Sequence, residues 1–313
     1  MITVYSPAEW VERFGDNPKS TVVTIGNFDG VHLGHQRILY QTRSLAGQLG
    51  SRSVVLTFYP HPARVLRPSK APPLLITLEQ RITAIEEMRI DAAMVLKFDS
   101  GLATMSARDF ADHYLREILR TRALVIGDNF RFGRRQEGNI HLLSEMAFEV
   151  EPIRPVEVDG VVVSSTRIRE EASEGRMENA RKMLGRPFTL AGEIRPGTAQ
   201  GRKRVVPTLN LATEQELLPK IGVYATETAV GGTVHRSVTN VGMRPTFEGL
   251  RLSIESHLFD FNDNLNSGKM AVRFWSRLRD EKKFADPEAL REQVLVDIGQ
   301  AREFFVSKDR TDA

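Results

Sequence analysis

The apolar positions of the first half of the chain fall in short runs. Thr21-Val22-Val23-Thr24-Ile25 and residues 54–58, 92–96 and 123–126 are almost continuously apolar, which predicts strands covered on both faces. Between them the period lengthens. Residues 77–88 follow helical spacing behind Thr77, with Gln80 three positions on, the sign of a capping box. Residues 107–119 predict a second helix, and another is expected to begin near Gly34. Strands alternating with helices predict a parallel sheet with helices on both faces. Ligands then lie outside the carboxyl ends of the strands.

The pattern changes after residue 185. Residues 166–183 are mostly helical in pattern and end at Leu184-Gly185, with Pro187 beyond, a helix stop. A domain boundary is placed there, giving domains 1–185 and 186–313. Residues 188–194, 222–228, 234–241, 252–258 and 270–275 are strand-like, with turn residues such as Gly231-Gly232 between them. Strands without intervening helices predict a small barrel or sandwich. Asp286-Pro287 opens a final helix to about Phe304. There is no internal repeat.

Composition narrows the class. Of 313 residues, 41% are hydrophobic and 27% charged, the balance of a soluble globular protein. The absence of cysteine excludes disulfides and thiolate metal sites. A net charge of +3 suits anionic substrates but is too small to imply nucleic acid. No apolar run approaches the roughly 20 residues of a membrane helix. Met1-Ile2-Thr3-Val4-Tyr5 lacks the make-up of a signal peptide, so a cytoplasmic location is expected.

The candidate chemistry starts at Gly26-Asn27-Phe28-Asp29-Gly30-Val31-His32-Leu33-Gly34-His35. Strand, glycine-rich turn and helix present backbone N–H groups and a helix N-terminus to an anion. His32 and His35, three apart, share a face if the helix starts early, and imidazoles there can stabilise charge on a leaving pyrophosphate. The alternative is a turn with two satisfied surface histidines. Ser164-Ser165-Thr166 before a helix, with Arg169, is a second anion site or a plain N-cap. Asn129, Phe130 and Arg131 open an aromatic–basic stretch continued by Phe132, Arg134 and Arg135. It suits a flavin or adenine ring with phosphate, single-stranded nucleic acid, or only a solvated turn. Thr208 and Asn210, two apart, point the same way on an extended segment and can reach one Mg²⁺–phosphate group, or form a polar turn. Glu255 alternates with Ile254, so its carboxylate faces away from the strand's apolar side. It is a general base or a solvated strand residue.

The decapeptide resembles the HxGH signature of the nucleotidyltransferase superfamily, whose members transfer a nucleotidyl group and release pyrophosphate. Further segments extend the resemblance in order: Thr57-Phe58-Tyr59-Pro60-His61-Pro62, Gly127-Asp128-Asn129-Phe130-Arg131-Phe132-Gly133, Ser164 to Arg169, Leu184-Gly185-Arg186-Pro187, Pro207-Thr208-Leu209-Asn210, Asn240 to Phe247 and Ile254 to Leu258. Together they are similar to prokaryotic bifunctional FAD synthetases, also called riboflavin kinase/FMN adenylyltransferases. The resemblance implies an α/β nucleotidyltransferase-like parallel sheet followed by a small antiparallel β-barrel with a C-terminal helix. It implies phosphorylation of riboflavin to FMN, then adenylylation of FMN to FAD, with ATP as co-substrate and Mg²⁺ as cofactor. It gives no role to nucleic acid or membrane, and it leaves the oligomeric state open. Gly26, Asn27, Phe28, Asp29, Gly30, Ser164, Ser165, Thr166 and Arg169 would bind nucleotide and phosphate, with His32 and His35 catalytic. Asn129, Phe130 and Arg131 would bind flavin. Thr208 and Asn210 would hold Mg²⁺ and phosphate, with Glu255 the base. The chain departs from the kinase pattern at Val205, Leu209, Asn266 and Ser267. The phosphate loop and flavin flap are then shaped differently, and the alternative is an adenylyltransferase with a degenerate, flavin-binding kinase domain.

Overall fold

The computed structural model describes residues 1–16, 19–195, 206–246, 249–261 and 265–312. Val205, Phe247 and Asn264 lie outside the described residues. Two compact units form, Met1–Ser165 and Thr166–Ala313.

The first unit is built on six parallel strands: β1 Ile2–Val4, β2 Thr21–Ile25, β3 Arg52–Tyr59, β4 Ala92–Lys97, β5 Thr121–Gly127 and β6 Glu149–Ile153, in the order β1-β4-β3-β2-β5-β6. The continuous apolar runs have the expected cause. Val23, Ile25, Val54, Leu56, Leu124 and Ile126 feed one core. Their neighbours Val22, Ala123 and Val125, and Val55 with Ala93, feed cores that also take residues of the helix Leu33–Gln48. The edge strands β1 and β6 escape the apolar pattern, being short or carrying Glu149, Glu151 and Pro152, as edges do. The capping box closes as expected: Gln80 N–H donates to Thr77 Oγ1 at 3.2 Å and Thr77 N–H to Gln80 Oε1 at 2.8 Å, opening the helix Leu78–Glu87. The segment expected to be a plain helix over 107–119 widens after Phe110 into π-helical turns over Ala111–Ile118.

Strand order decides where a ligand can lie. From β2 the chain steps to β3 and β4 on one side, then β5 enters on β2's other side. The loops after β2 and β5 therefore diverge at the switch point of the sheet, where a crevice opens in such folds.

In the second unit, the helix expected over 166–183 is two helices, Ser165–Ser173 and Met177–Leu184, separated at Gly175 with φ +80°. Glu171, fully buried, ties the break by accepting from Arg176 Nε at 2.5 Å and Asn179 Nδ2 at 3.0 Å. The hydrogen bond from Arg176 holds its carboxyl below the usual range. The stop at Gly185 (φ +73°) is as expected. Met177, Ala180, Met183 and Leu184 are buried, however, and their helix packs on barrel strands, so compaction divides the chain earlier than the sequence boundary at 185.

The barrel is antiparallel and closed: β7 Phe188–Arg195, β8 Leu209–Ala212, β9 Gly222–Val230, β10 Thr233–Thr246, β11 Gly249–Leu258 and β12 Lys269–Arg279, in the order β8-β11-β10-β9-β12-β7. Strand β8, read from sequence only as an extended segment, closes the ring between β7 and β11. The terminal helix Pro287–Asp312 runs past Phe304 and sets Ala301 and Phe305 against Val223, Ala225, Val238 and Phe259 on the outside of the barrel.

Candidate functional site

The loop after β2 is locally strained. Phe28 (φ +50°), Gly30 (φ +85°) and Val31 (φ +40°) all lie in the left-handed region, which a β-branched valine rarely enters. Tertiary bonds hold it there. Val31 N–H donates to the Phe28 carbonyl at 3.1 Å, and Gln36 Nε2 to the Val31 carbonyl at 2.8 Å. Phe28, 1% exposed, sits in a core with Leu39, Val55 and Ile85, so its ring anchors the loop to that core. Asp29 is as deeply buried. Its carboxylate accepts from Leu75 N–H at 3.1 and 3.2 Å and from Ile76 N–H at 3.4 Å. Phe28 and Asp29, expected to bind phosphate, thus have buried side chains that shape the turn.

His32 caps the helix Leu33–Gln48, its Nδ1 accepting from His35 N–H at 3.4 Å. In that bond Nδ1 accepts, which leaves the ring's donor at Nε2. The His32 and His35 rings stack at 3.7 Å with 17° between planes, and Phe28 lies 5.1 Å from His35. Gly34 suits this stack, because a Cβ there would stand 3.2 Å from the His32 ring and press on it. Burial, then the charges of His32 and Arg81, push the His35 pKa well below its ordinary value. A neutral His35 stacked on His32 at the positive end of a helix dipole makes an anion site with ring N–H donors.

Other expected residues gather there in part. Ser165 Oγ donates to the Asp29 carbonyl at 2.8 Å, joining that segment to the loop, and Ser164 beside it is half-buried. Thr166 is exposed and Arg169 half-buried on the helix that Ser165 opens. Gly26 and Asn27 line the start of the loop, and Gly26 N–H donates to the Leu56 carbonyl at 3.1 Å. Asn129 and Arg131 are exposed after β5, and Phe130 stacks on Phe132 at 5.5 Å. Sequence reasoning missed Arg81, which donates to Thr57 Oγ1 and the Phe58 carbonyl at the end of β3. A cation inside the apolar stripe of its helix was the available signal.

The second unit brings Asn210 and Glu255 together. They are register partners between β8 and β11, and Glu255 also pairs with Asn240 of β10. Leu209, Ile254 and Ser256 are buried, while Asn210, Glu255 and Asn240 are half-buried on the opposite face. Ser253 Oγ donates to Glu255 Oε1 at 2.7 Å, fixing the carboxylate. Thr208, two before Asn210, is half-buried just outside β8, and the His257 ring nitrogen Nδ1 lies 2.8 Å from the Pro207 carbonyl beside it. Asn240 opens a segment that carries the family resemblance, but its place beside Glu255 was not legible in the sequence, because only the register brings the two together. The donors here are hydroxyl, amide and carboxylate oxygens, which suit Mg²⁺ carried on a nucleotide. Among the described residues no group of three or more His, Cys, Asp or Glu forms a metal cage.

Comparison with known proteins places both units in described families. The FAD synthetase family model matches residues 15–167 and the riboflavin kinase model residues 184–305. A bifunctional riboflavin kinase/FMN adenylyltransferase of Pseudomonas fluorescens is 37% identical over 91% of this chain and 93% of its own length. One from Haemophilus influenzae is 36% identical over 91% and 94%. A crystal structure described as a macrolide-efflux protein from Streptococcus pneumoniae superposes with a TM-score of 0.85 at 27% identity, covering 96% of this chain and 99% of that one. Among the described residues no helix is long and apolar enough to cross a membrane. With two family models in order and this likeness along its length, the chain belongs to the family of bifunctional riboflavin kinase/FMN adenylyltransferases.

Proposed function

We propose that the two units catalyse consecutive steps of cytoplasmic flavin synthesis, with the activities divided at 1–185 and 186–313. In the barrel, the ribityl hydroxyl of riboflavin attacks the γ-phosphorus of ATP. The bond to the ADP oxygen breaks, and Glu255, held by Ser253, accepts the hydroxyl proton. Thr208 and Asn210 would hold Mg²⁺ with the phosphates, and the ion would offset their charge. In the first unit, a phosphate oxygen of FMN attacks the α-phosphorus of a second ATP, and pyrophosphate leaves. His32 and His35 donate to the phosphate oxygens as charge moves onto the leaving group. Gly26, Asn27, Gly30, Ser164, Ser165, Thr166 and Arg169 frame the nucleotide, and Asn129, Phe130 and Arg131 meet the flavin.

The observation that carries this reading is the stacked His32–His35 pair at a helix N-terminus beside the switch point. The departure at Leu209 does not favour a degenerate kinase, because that side chain turns into the barrel, away from Asn210. The test incubates purified protein with riboflavin, ATP and Mg²⁺ and separates the flavins by chromatography. FMN should form first and FAD after it. Replacing both histidines with Ala should slow FAD formation by at least about 10²-fold while FMN still accumulates. Near-normal FAD synthesis in the double variant rules out the histidine assignment, and FAD from FMN without FMN from riboflavin restores the degenerate-kinase alternative.

A further inference from the structure

One buried cation lies at the first site without a part in the reaction above. Arg81, on the helix Leu78–Glu87, is 0% exposed and heads the fully buried side chains by volume. Its Nη1 donates to Thr57 Oγ1 at 3.4 Å and to the Phe58 carbonyl at 3.2 Å. Thr57 Oγ1 in turn donates to the Asn27 carbonyl at 3.4 Å. Nε and Nη2 are buried with no hydrogen-bond partner among the described residues. A guanidinium enclosed with donors unmet is far costlier than a methionine of similar size. Its helix neighbours Ala84 and Ile85 pack in an apolar core with Phe28, Val31 and Leu39, so packing alone asks for an apolar residue. The strand end and loop that Arg81 grips are the carboxyl edge of the sheet, where an anionic ligand is held in such folds.

Resting on the adenylyl-transfer reading of this unit, we propose that Arg81 is a positioning residue for that reaction, a fixed buried cation that braces the Asn27 end of the loop through Thr57 and adds positive potential at the bound triphosphate. Two features of its surroundings fit. The charged or titratable groups felt at His35 are His32 and Arg81. Those felt at Arg81 are Asp29 and Tyr59, and burial is the larger influence there, drawing its pKa down. The site thus carries non-titrating positive charge beside His35, and a bound phosphate adds negative charge to that of the Asp29 carboxylate, which the guanidinium already feels.

The experiment compares wild type, Arg81→Met and Arg81→Lys in the full chain. It measures FMN adenylylation, with kcat and the KM for ATP separated, and the titration of the His35 imidazole by NMR. Trp10 fluorescence, read in a Trp275→Phe background, reports folding, since that residue is buried in the first unit. Arg81→Met should lose about 10²-fold in kcat/KM for ATP, the scale of one lost electrostatic donor. Its His35 midpoint should rise by a part of the shift, since burial, the largest cause, remains. Arg81→Lys, which keeps the charge, should recover most of the rate and leave that midpoint low. If Arg81→Met does not fold, Arg81→Gln takes its place, because it keeps a donor for Thr57 and Phe58 without charge. A wild-type rate in the neutral variant overturns the proposal. So does an unmoved His35 midpoint, or a folded Arg81→Lys as slow as the neutral variant. A wild-type protein that makes no FAD from FMN and ATP fails the underlying reading, and the inference with it.

Discussion

Replacing Asp29 with Ala should unfold the first unit more easily, and the size of the effect can be worked from its contacts. The carboxylate is 1% exposed and accepts one forked bond from Leu75 N–H and a longer one from Ile76 N–H. A hydrogen bond to a charged acceptor contributes about 1.5–3 kcal/mol, and a buried N–H left unmet keeps its desolvation penalty. Leu75 is itself 1% exposed, so water does not replace the lost acceptor easily. Arg81 also loses the carboxylate that favours its charged form. Together these give about 3–5 kcal/mol. For a unit of this size, each kcal/mol is worth roughly 2–4 °C, so the melting point should fall by about 10 °C. The assay is thermal and urea unfolding followed by Trp10 fluorescence in a Trp275→Phe background. Asp29→Asn retains an accepting oxygen and should lose less than half as much. Arg81→Met in the Asp29→Ala background should be milder than the sum of the single changes, because one buried charge no longer lacks its neighbour. A loss below about 1 kcal/mol, with FAD synthesis abolished, would show that Asp29 acts on the ligand and not on the loop.

The pH dependence of the same unit follows from His35. Its folded pKa lies below the ordinary 6.5, so below that pH the unfolded chain takes up a proton the folded one refuses. Stability should therefore fall as pH drops from about 7 to 5, and His35→Gln should flatten that slope in urea unfolding at each pH. Glu255→Gln should slow FMN formation by about 10² to 10⁴-fold while FMN-to-FAD conversion stays unchanged on the same preparation. If both activities remain at the wild-type level, the base lies elsewhere. A fragment 166–313 should melt well above a fragment 186–313, because the latter lacks the buried Met177, Ala180, Met183 and Leu184; equal melting points would place those helices outside the unit's core.

What the sequence revealed was mostly local. Strands buried on both faces announced themselves as apolar runs because both faces of the sheet are covered. The Thr77 cap and the Gly185 stop were legible because each lies within a few residues of the turn it makes. The missing parts depend on contacts far apart in the chain. Strand β6 became a strand only by pairing with β5, despite Pro152. Asn240 met Glu255 through a hairpin register that no short window contains. The buried state of Asp29 depended on Leu75 and Ile76, and Arg81 lay in an ordinary-looking amphipathic helix until Thr57 and Phe58 were brought to it.

The location of the second site follows from what fills the barrel. A ring of six strands has an interior only wide enough for side chains. Here that interior holds Tyr224, Phe274 and a connected set of hydroxyls. Thr226 meets Ser237 at 2.8 Å and Thr239 at 2.7 Å, Thr228 meets Ser237 at 2.8 Å, and Thr239 meets Ser256 at 2.7 Å. These groups satisfy one another, which a buried polar network must do to be tolerated. A nucleotide inside would have to break all of them and displace the aromatic rings. Strand alternation puts the half-buried Asn210, Glu255 and Asn240 in an outer row laid across three adjacent strands, with Glu255 held by Ser253. Leu209 and Ser256 are directly opposite each other on the inner face of the same pair. A change at 209 alters the filling of the barrel, whereas a change at 210 or 255 alters what the outer row can hold.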